Sequence, residues 1–396
     1  MNKFDFIKEA GAIKNQIVEW RRYLHRNPET GLDCYIASDF IKNELKKMDI
    51  EVETGFAKTG VIGIIRGKSS GKIIAIRADI DALPVRENTG LPFASEVKDK
   101  CHACGHDGHT AICLAVANIM SKMRNNFEGT IKLIFQPGEE YPGGAKIMIK
   151  DGVLENPKVD AIIGYHIFPG IDSGKFGIRY GVMTARNDEF TIKIKGPGGH
   201  GAHPDESPDP IVAAGYFLTE LQTIVSRMKD PLEPLVITVG EIMGGSGYNI
   251  IPALITMKGT IRSINYNSRN LAIQKIEDIL KGISVTFNLE YELEIVPGEP
   301  PLRCDEKLCF LAEKVIKKHF GQENLIFIEK PSMGVDDFAF YSEKIPAIYL
   351  RLGSRDEKKG LINPLHSPKF DFDENMLPIW SASICYIAME LLNEDF

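Results

Sequence analysis

Residues Cys101 to Thr110 read CHACGHDGHT, placing two cysteines, three histidines and an aspartate in one short glycine-containing loop. Thiolate, imidazole and carboxylate are the side chains that hold divalent metals, and all three occur together here. Three more clusters follow at wide spacing: Gln136-Pro137-Gly138-Glu139-Glu140, Gly164-Tyr165-His166 and Leu365-His366-Ser367-Pro368. Donors gathered from segments so far apart point to a catalytic metal centre. A structural zinc knuckle on Cys101 and Cys104 would need a second CxxC or HxxxH elsewhere in the chain, and there is none. A thioredoxin-like pair is disfavoured because this segment is not read as opening a helix after the first strand. A nucleophilic Cys104 beside His106 would leave Glu140, His166 and His366 without a role.

The elements that must position these donors follow from periodicity. Apolar residues at helical spacing over about 4–24 and 36–48 predict two helices, and Val61–Ile65 and Ile73–Ile76 read as strands. Asp79 and Asp81 fall where the second strand ends, the position at which α/β folds gather ligands. A helix is expected over Ala111–Met123, then a strand Thr130–Phe135 that delivers Glu139 and Glu140, and a run Ala161–Ile163 that delivers His166. Neighbours leaving a strand point to opposite sides, so one of the paired glutamates can ligate while the other faces substrate. Helices alternating with buried strands predict a three-layer α/β/α domain.

Past residue 180 the pattern changes to strand, helix, strand, strand, helix, strand. The expected strands are Phe190–Ile194, Val236–Val239, Ile255–Ile261 and Val285–Val296, and the helices span about 209–228 and 268–282. That order is a ferredoxin-like α+β unit. The α/β pattern resumes after Pro297 with a helix near Lys307–His319 and a strand Ala347–Leu350, so 181–296 reads as a domain inserted between 1–180 and 297–396. Two formal motifs are rejected. Gly196–Gly201 matches GxGxxG, but no helix starts until near Asp209. Gly67–Gly71 matches GxSxG, but it joins two strands and reads as a hairpin turn.

The ordered series RADIDALPVRE, HACGHDGHT, FQPGEE, GYHIFPG, GPGGHGAHPDESPDPI, NIIPA, GTIR, MGVDDFAFY and LHSPKFDFDE spans essentially the whole chain. It resembles the di-metal aminoacylase and carboxypeptidase family of amidohydrolases, in particular the branch of hippurate hydrolases, auxin-conjugate hydrolases and N-acetyldiaminopimelate deacetylases. The resemblance implies a metallopeptidase-like catalytic domain with an inserted lid that also supplies a homodimer contact. It implies Cys104, His106, Glu140, His166 and His366 as metal ligands and Glu139 as catalytic base. It makes Asp79 a carboxylate that orients a ligand imidazole. His200 of the lid would hold the developing oxyanion, and Asn249 and Arg262 would grip the substrate carboxylate. One departure is Arg77, which stands where other branches carry a ligand histidine.

The implied reaction is hydrolysis of N-acyl (acetyl or aroyl) amino acids to an acid and an amino acid. Two divalent ions per subunit, zinc or manganese with cobalt or nickel as further candidates, would activate water. Dipeptidase or carboxypeptidase specificity, N-acetyldiaminopimelate deacetylation and a catalytically dead binding protein are the alternatives. Composition narrows the partners. A formal charge of −7 with no long Lys/Arg block excludes a general nucleic-acid surface. No run approaches the roughly 18 apolar residues of a membrane span. Seven irregularly spaced cysteines and a charged N-terminus without a signal-peptide core predict a reduced cytoplasmic protein.

Overall fold

The computed structural model describes residues 4–396 and divides into two compact units. The first comprises residues up to Met183 with Arg303–Lys330 and Asp336–Phe396. Its sheet runs in the order Glu51–Phe56, Gly60–Arg66, Thr130–Gln136, Ile73–Asp79, Ala161–Asp172, Ala347–Arg355, Phe176–Ile178, Leu325–Phe327. The four central strands are parallel, so their carboxyl ends gather on one edge. All seven residues of Thr130–Gln136 are buried, which requires cover on both faces. Helices His106–Lys122 and Leu377–Asn393 pack on Ile73–Asp79, while the short helices Gly144–Lys150 and Ala339–Ser342 pack on Thr130–Gln136 and Ala347–Arg355. The stretch Glu374–Asn393 is apolar enough to cross a membrane by length and composition, but it is 72% buried inside the fold and serves as a core helix.

The second unit, Thr184–Leu302 with Pro331–Val335, is a four-stranded antiparallel sheet with two helices. Its order, Leu235–Gly244, Leu254–Ser263, Arg186–Lys195, Glu290–Pro297, is that of a ferredoxin-like fold. Asp209 caps the helix Pro210–Thr223 by accepting from Ile211 N at 2.8 Å, and Pro210 sits where a missing N–H costs nothing. Pro331–Val335 joins this unit because Ala185 N donates to Ser332 O at 2.8 Å.

Several expectations shift. The first helix is two, Phe6–Ala12 and Lys14–Arg26, broken at Ile13. The helix near 268–282 runs on to Phe287, so the last strand of this unit starts at Glu290 and not at Val285. Gly67–Gly71 is no hairpin turn, because Thr130–Gln136 is inserted between the two strands it joins. The CHACGHDGHT segment is only half a loop: Gly105, at φ 88°, turns the chain into a helix that starts at His106. The segment therefore does open a helix, after the third strand.

That helix start is anchored by a buried charge network. Arg21 Nε donates to Asp107 at 3.1 Å, and His25 places Nδ1 2.8 Å from Asp107 and Nε2 3.2 Å from Glu87. Burial opposes charging His25, but the two carboxylates outweigh it and raise its pKa from 6.5 to about 9. A raised histidine contributes stability that is full below its unfolded pKa and is lost as pH rises through the folded one. Wild type should therefore lose up to about 3 kcal/mol from this source between pH 6.5 and 9. Thermal melts of wild type and His25→Asn across that range should converge as pH rises; a constant gap would remove the charged histidine from the account.

Candidate metal centre

Asp79 pairs in register with Gln136, so the segments leaving these two strands run side by side. Asp81 links them. Its carboxylate accepts from Glu139 N at 3.0 Å and Glu140 N at 3.2 Å, and its carbonyl lies 2.8 Å from His106 Nδ1. With that proton fixed on Nδ1, His106 presents its Nε2 lone pair. His166 is held the same way, its Nδ1 2.6 Å from Ile167 O, with Nε2 3.4 Å from Cys104 Sγ. His366, at φ 65° in its loop, brings Nε2 to 3.2 Å from Glu140 Oε1.

All six sequence-predicted residues of this centre, Cys104, His106, Glu139, Glu140, His166 and His366, are thereby brought together. Donor atoms of Cys104, His106 and His166 lie within 4.8 Å of one another, as do those of Cys104, Glu140 and His366. The two sets share Cys104, so one thiolate can serve two neighbouring ions. The fit of a metal pair is supported by His106 Nε2, which is sealed from solvent and makes no hydrogen bond, although Asp79 and Glu139 oxygens lie 3.8 and 3.9 Å away. An orphaned buried nitrogen costs about 1–3 kcal/mol, and ligation removes that cost.

Electrostatics separates the two glutamates. Burial, then the nearby Asp336 and Asp337 carboxylates, push Glu139 well above the usual carboxylate range. Burial also works against charge on Glu140, but the hydrogen bond to His366 and the nearness of His106 outweigh it and hold Glu140 low. A carboxyl that favours its proton and a carboxylate that favours its charge thus stand side by side. Burial raises the Cys104 thiol and lowers His166, so loading a metal must release the thiol proton.

Asp79 takes a place other than the one expected. Its Oδ1 bonds His109 Nδ1 at 2.6 Å and its Oδ2 bonds Arg77 at 2.5 Å, while His109 Nε2 accepts from Ile167 N at 2.9 Å. It therefore orients His109, which has no lone pair to spare, and the imidazole of His106 is set by Asp81. Arg77 also reaches Gln136 at 2.9 Å and Asp337 at 2.7 Å, filling with a fully paired cation the position where other branches place a ligand. Sequence reasoning missed the roles of Asp81, Asp336 and Asp337. The DxD spacing and the DD of MGVDDFAFY were the available signals.

His200, Asn249 and Arg262 belong to the second unit. His200 pairs with Ile250 across a two-residue ladder, and Gly201 N donates to Asn249 O at 2.8 Å. His200 Nδ1 accepts from Ala202 N at 3.0 Å, leaving Nε2–H as a donor. Arg262 donates to Met333 O at 3.0 Å and pairs with Asn187 at the far end of the strand Leu254–Ser263. Leu254 pairs with Lys195, and His200 and Asn249 lie past that end. At about 3.3 Å per residue, Arg262 and Asn249 are about 25 Å apart. One carboxylate cannot meet both from the same chain, so a joint grip would need two copies of the chain.

Cysteine, imidazole and carboxylate donors at the carboxyl edge of a mostly parallel sheet define a metal-dependent hydrolase, and comparison with known proteins agrees. The family model "Peptidase family M20/M25/M40" matches residues 75–388, and the chain belongs to that family. It is 38% identical to an N-acetyl-L-cysteine deacetylase of Bacillus subtilis, over 97% of this chain and 90% of that one. It is 34% identical to a hippurate hydrolase of Campylobacter jejuni, over 98% of this chain and all of the other. Among solved structures, a dinuclear metal binding M20 peptidase of Bacillus subtilis superposes with a TM-score of 0.85 at 32% identity, over 96% of this chain and 99% of that one. The chain is a hydrolase acting on amide bonds.

Glu140→Gln should lower the metal content of purified protein, because it removes a ligand charge, whereas Glu139→Gln should leave metal content near wild type. Elemental analysis of the two variants decides this, and the reverse pattern would exchange the two roles.

Proposed function

We propose that the chain hydrolyses N-acyl amino acids, releasing a carboxylic acid and a free amino acid. The observation that carries this reading is the placing of the Glu139 carboxyl beside two donor sets that share Cys104. The deacetylase and hippurate hydrolase relatives support the substrate class. Cys104, His106 and His166 would hold one ion, and Cys104, Glu140 and His366 the other, with zinc or manganese suited to this mixed set and cobalt or nickel as further candidates. When bound, the ions supply Lewis acidity toward water and the scissile carbonyl.

Glu139 would accept a proton from the attacking water and return it to the leaving amine, once bound metal favours its charged form. His200 donates its Nε2 proton to the oxyanion that develops on the carbonyl oxygen. Arg262 offers a planar fork to the substrate carboxylate. Asn249 lies beside His200 and acts with it. The inserted unit serves as lid and dimer contact. Seven buried, unpaired thiols support a reducing, cytoplasmic setting.

Chelation should abolish hydrolysis of N-acetyl- and N-benzoyl-amino acids, and added Mn²⁺, Co²⁺ or Zn²⁺ should restore it. Full activity in exhaustively demetallated protein would return Cys104 to the role of nucleophile.

The separation of Arg262 from His200 and Asn249 supports a homodimer in which one copy lends His200 and Asn249 to the site served by the other's Arg262. Glu139→Gln and His200→Ala should each be inactive alone. In a mixed dimer one site regains both groups and the other has neither. Random re-pairing of equal amounts should then restore about a quarter of wild-type activity. No recovery despite verified subunit exchange would mean that each chain completes its own site.

A further inference from the structure

Among the described residues four arginines are buried: Arg21, Arg77, Arg186 and Arg351. Three are matched by carboxylates, Arg21 by Asp107 and Asp371, Arg77 by Asp79 and Asp337, and Arg186 by Asp188. Arg351 is the exception. It is only 8% exposed, yet its guanidinium makes no hydrogen bond or ion pair among the described residues. Its neighbours are aromatic: the guanidinium carbon lies 4.9 Å from the Phe168 ring centre and 5.2 Å from that of Tyr349. The Tyr349 hydroxyl donates to Asp336 and supplies no charge to balance the guanidinium.

Two aromatic faces restrain a guanidinium without neutralising it, which leaves its hydrogen-bonding fork unused. An uncompensated buried charge is strongly destabilising, so folds retain one where an anion arrives from outside. Arg351 is also beside the metal centre. It stands opposite His166 in the parallel register of Ala347–Arg355 on Ala161–Asp172. Metal at His166 would add more positive charge and sharpen the need for an anion.

We propose that Arg351 binds a carboxylate of the substrate, as a positioning residue distinct from Arg262. The identity of that substrate rests on the reading of the chain as an N-acyl amino acid hydrolase, but the binding of a carboxylate does not. A bidentate pairing of guanidinium and carboxylate is worth roughly 10- to 100-fold in affinity.

The first measurement is binding, with glutarate as the probe. Glutarate should raise the melting temperature of the metal-loaded protein in a saturable way. Arg351→Gln should weaken its apparent Kd by roughly 10- to 100-fold while metal content stays at the wild-type level. Arg351→Lys keeps the charge and loses the fork, so it should fall between the two and serves if the glutamine variant does not fold. An unchanged glutarate Kd in either folded variant overturns the proposal. So does a loss of metal with glutarate binding intact, which would reduce Arg351 to a charge that tunes His166.

The second measurement is turnover of N-acetyl-L-glutamate, N-acetyl-L-glutamine, N-acetyl-L-methionine and N-acetyl-L-methionine amide. A loss of kcat/KM in Arg351→Gln confined to the glutamate substrate assigns Arg351 to a second carboxylate. A loss on every free acid that spares the amide assigns it to the α-carboxylate. Equal losses on acids and amide overturn the proposal. Glutarate binding that depends on Arg351, in an enzyme that turns over none of these, would retire the proposed function and keep the carboxylate site.

Discussion

The geometry of the metal centre depends on Asp81. Its carboxylate holds the backbone N–H groups of Glu139 and Glu140, and its carbonyl fixes the His106 tautomer. Three donors from two separate segments thus share one buried reference point. Each hydrogen bond contributes only about 1–3 kcal/mol to stability, but together they exclude other rotations of the Pro137–Gly138 turn. A turn of that composition has no packing of its own to choose which glutamate faces which way. Asp81 makes the choice through the backbone, which is why adjacent glutamates can take opposite electrostatic environments.

Behind this contact lie two networks of buried charge that serve as its foundation. Arg77 joins Asp79, Gln136 and Asp337, and so ties the ends of two central strands to the segment before Ala339–Ser342. Arg21 joins Asp107, Asp371 and Glu374, and ties the first turn of the His106 helix to the C-terminal region. Such networks add little net stability over well-packed hydrophobic groups, but leaving one member unpaired costs several kcal/mol. Their effect is to make displaced arrangements expensive. Packing adds to it at Gly108, where a Cβ would meet Ile167 Cδ1 and Phe372 Cζ at 2.6 Å, so the helix carrying His106 lies as close to its neighbours as a glycine permits.

Those residues also show what a sequence can and cannot disclose. Strands buried on both faces, such as Thr130–Gln136, announce themselves as apolar runs, and donor types at strand ends mark the centre. The ferredoxin-like order was legible from the change in period after residue 180. The strand inserted between Gly60–Arg66 and Ile73–Asp79 was not legible, because pairing between distant segments leaves no local signal. The start of the His106 helix was hidden for a related reason: a glycine in the left-handed region reads as loop until the buried face that follows is known. Asp79 and Asp81 look equivalent in sequence, two positions apart on the same side of a strand end. Only their partners tell them apart, His109 and Arg77 for one, and the Glu139–Glu140 backbone for the other.

The choice of donors has a consequence for what the site attracts. Cys104 and Glu140 bring one negative charge each when metal is bound, and His106, His166 and His366 bring none. Two divalent ions on this set would leave a positive excess on the five ligands themselves, and the carboxylates of Glu139, Asp79, Asp81, Asp336 and Asp337 stand around it. Arg351 adds to the same side of the balance without a protein anion to answer it. A substrate carboxylate would answer that one unpaired guanidinium, whereas a neutral amide of similar shape would leave its fork unused.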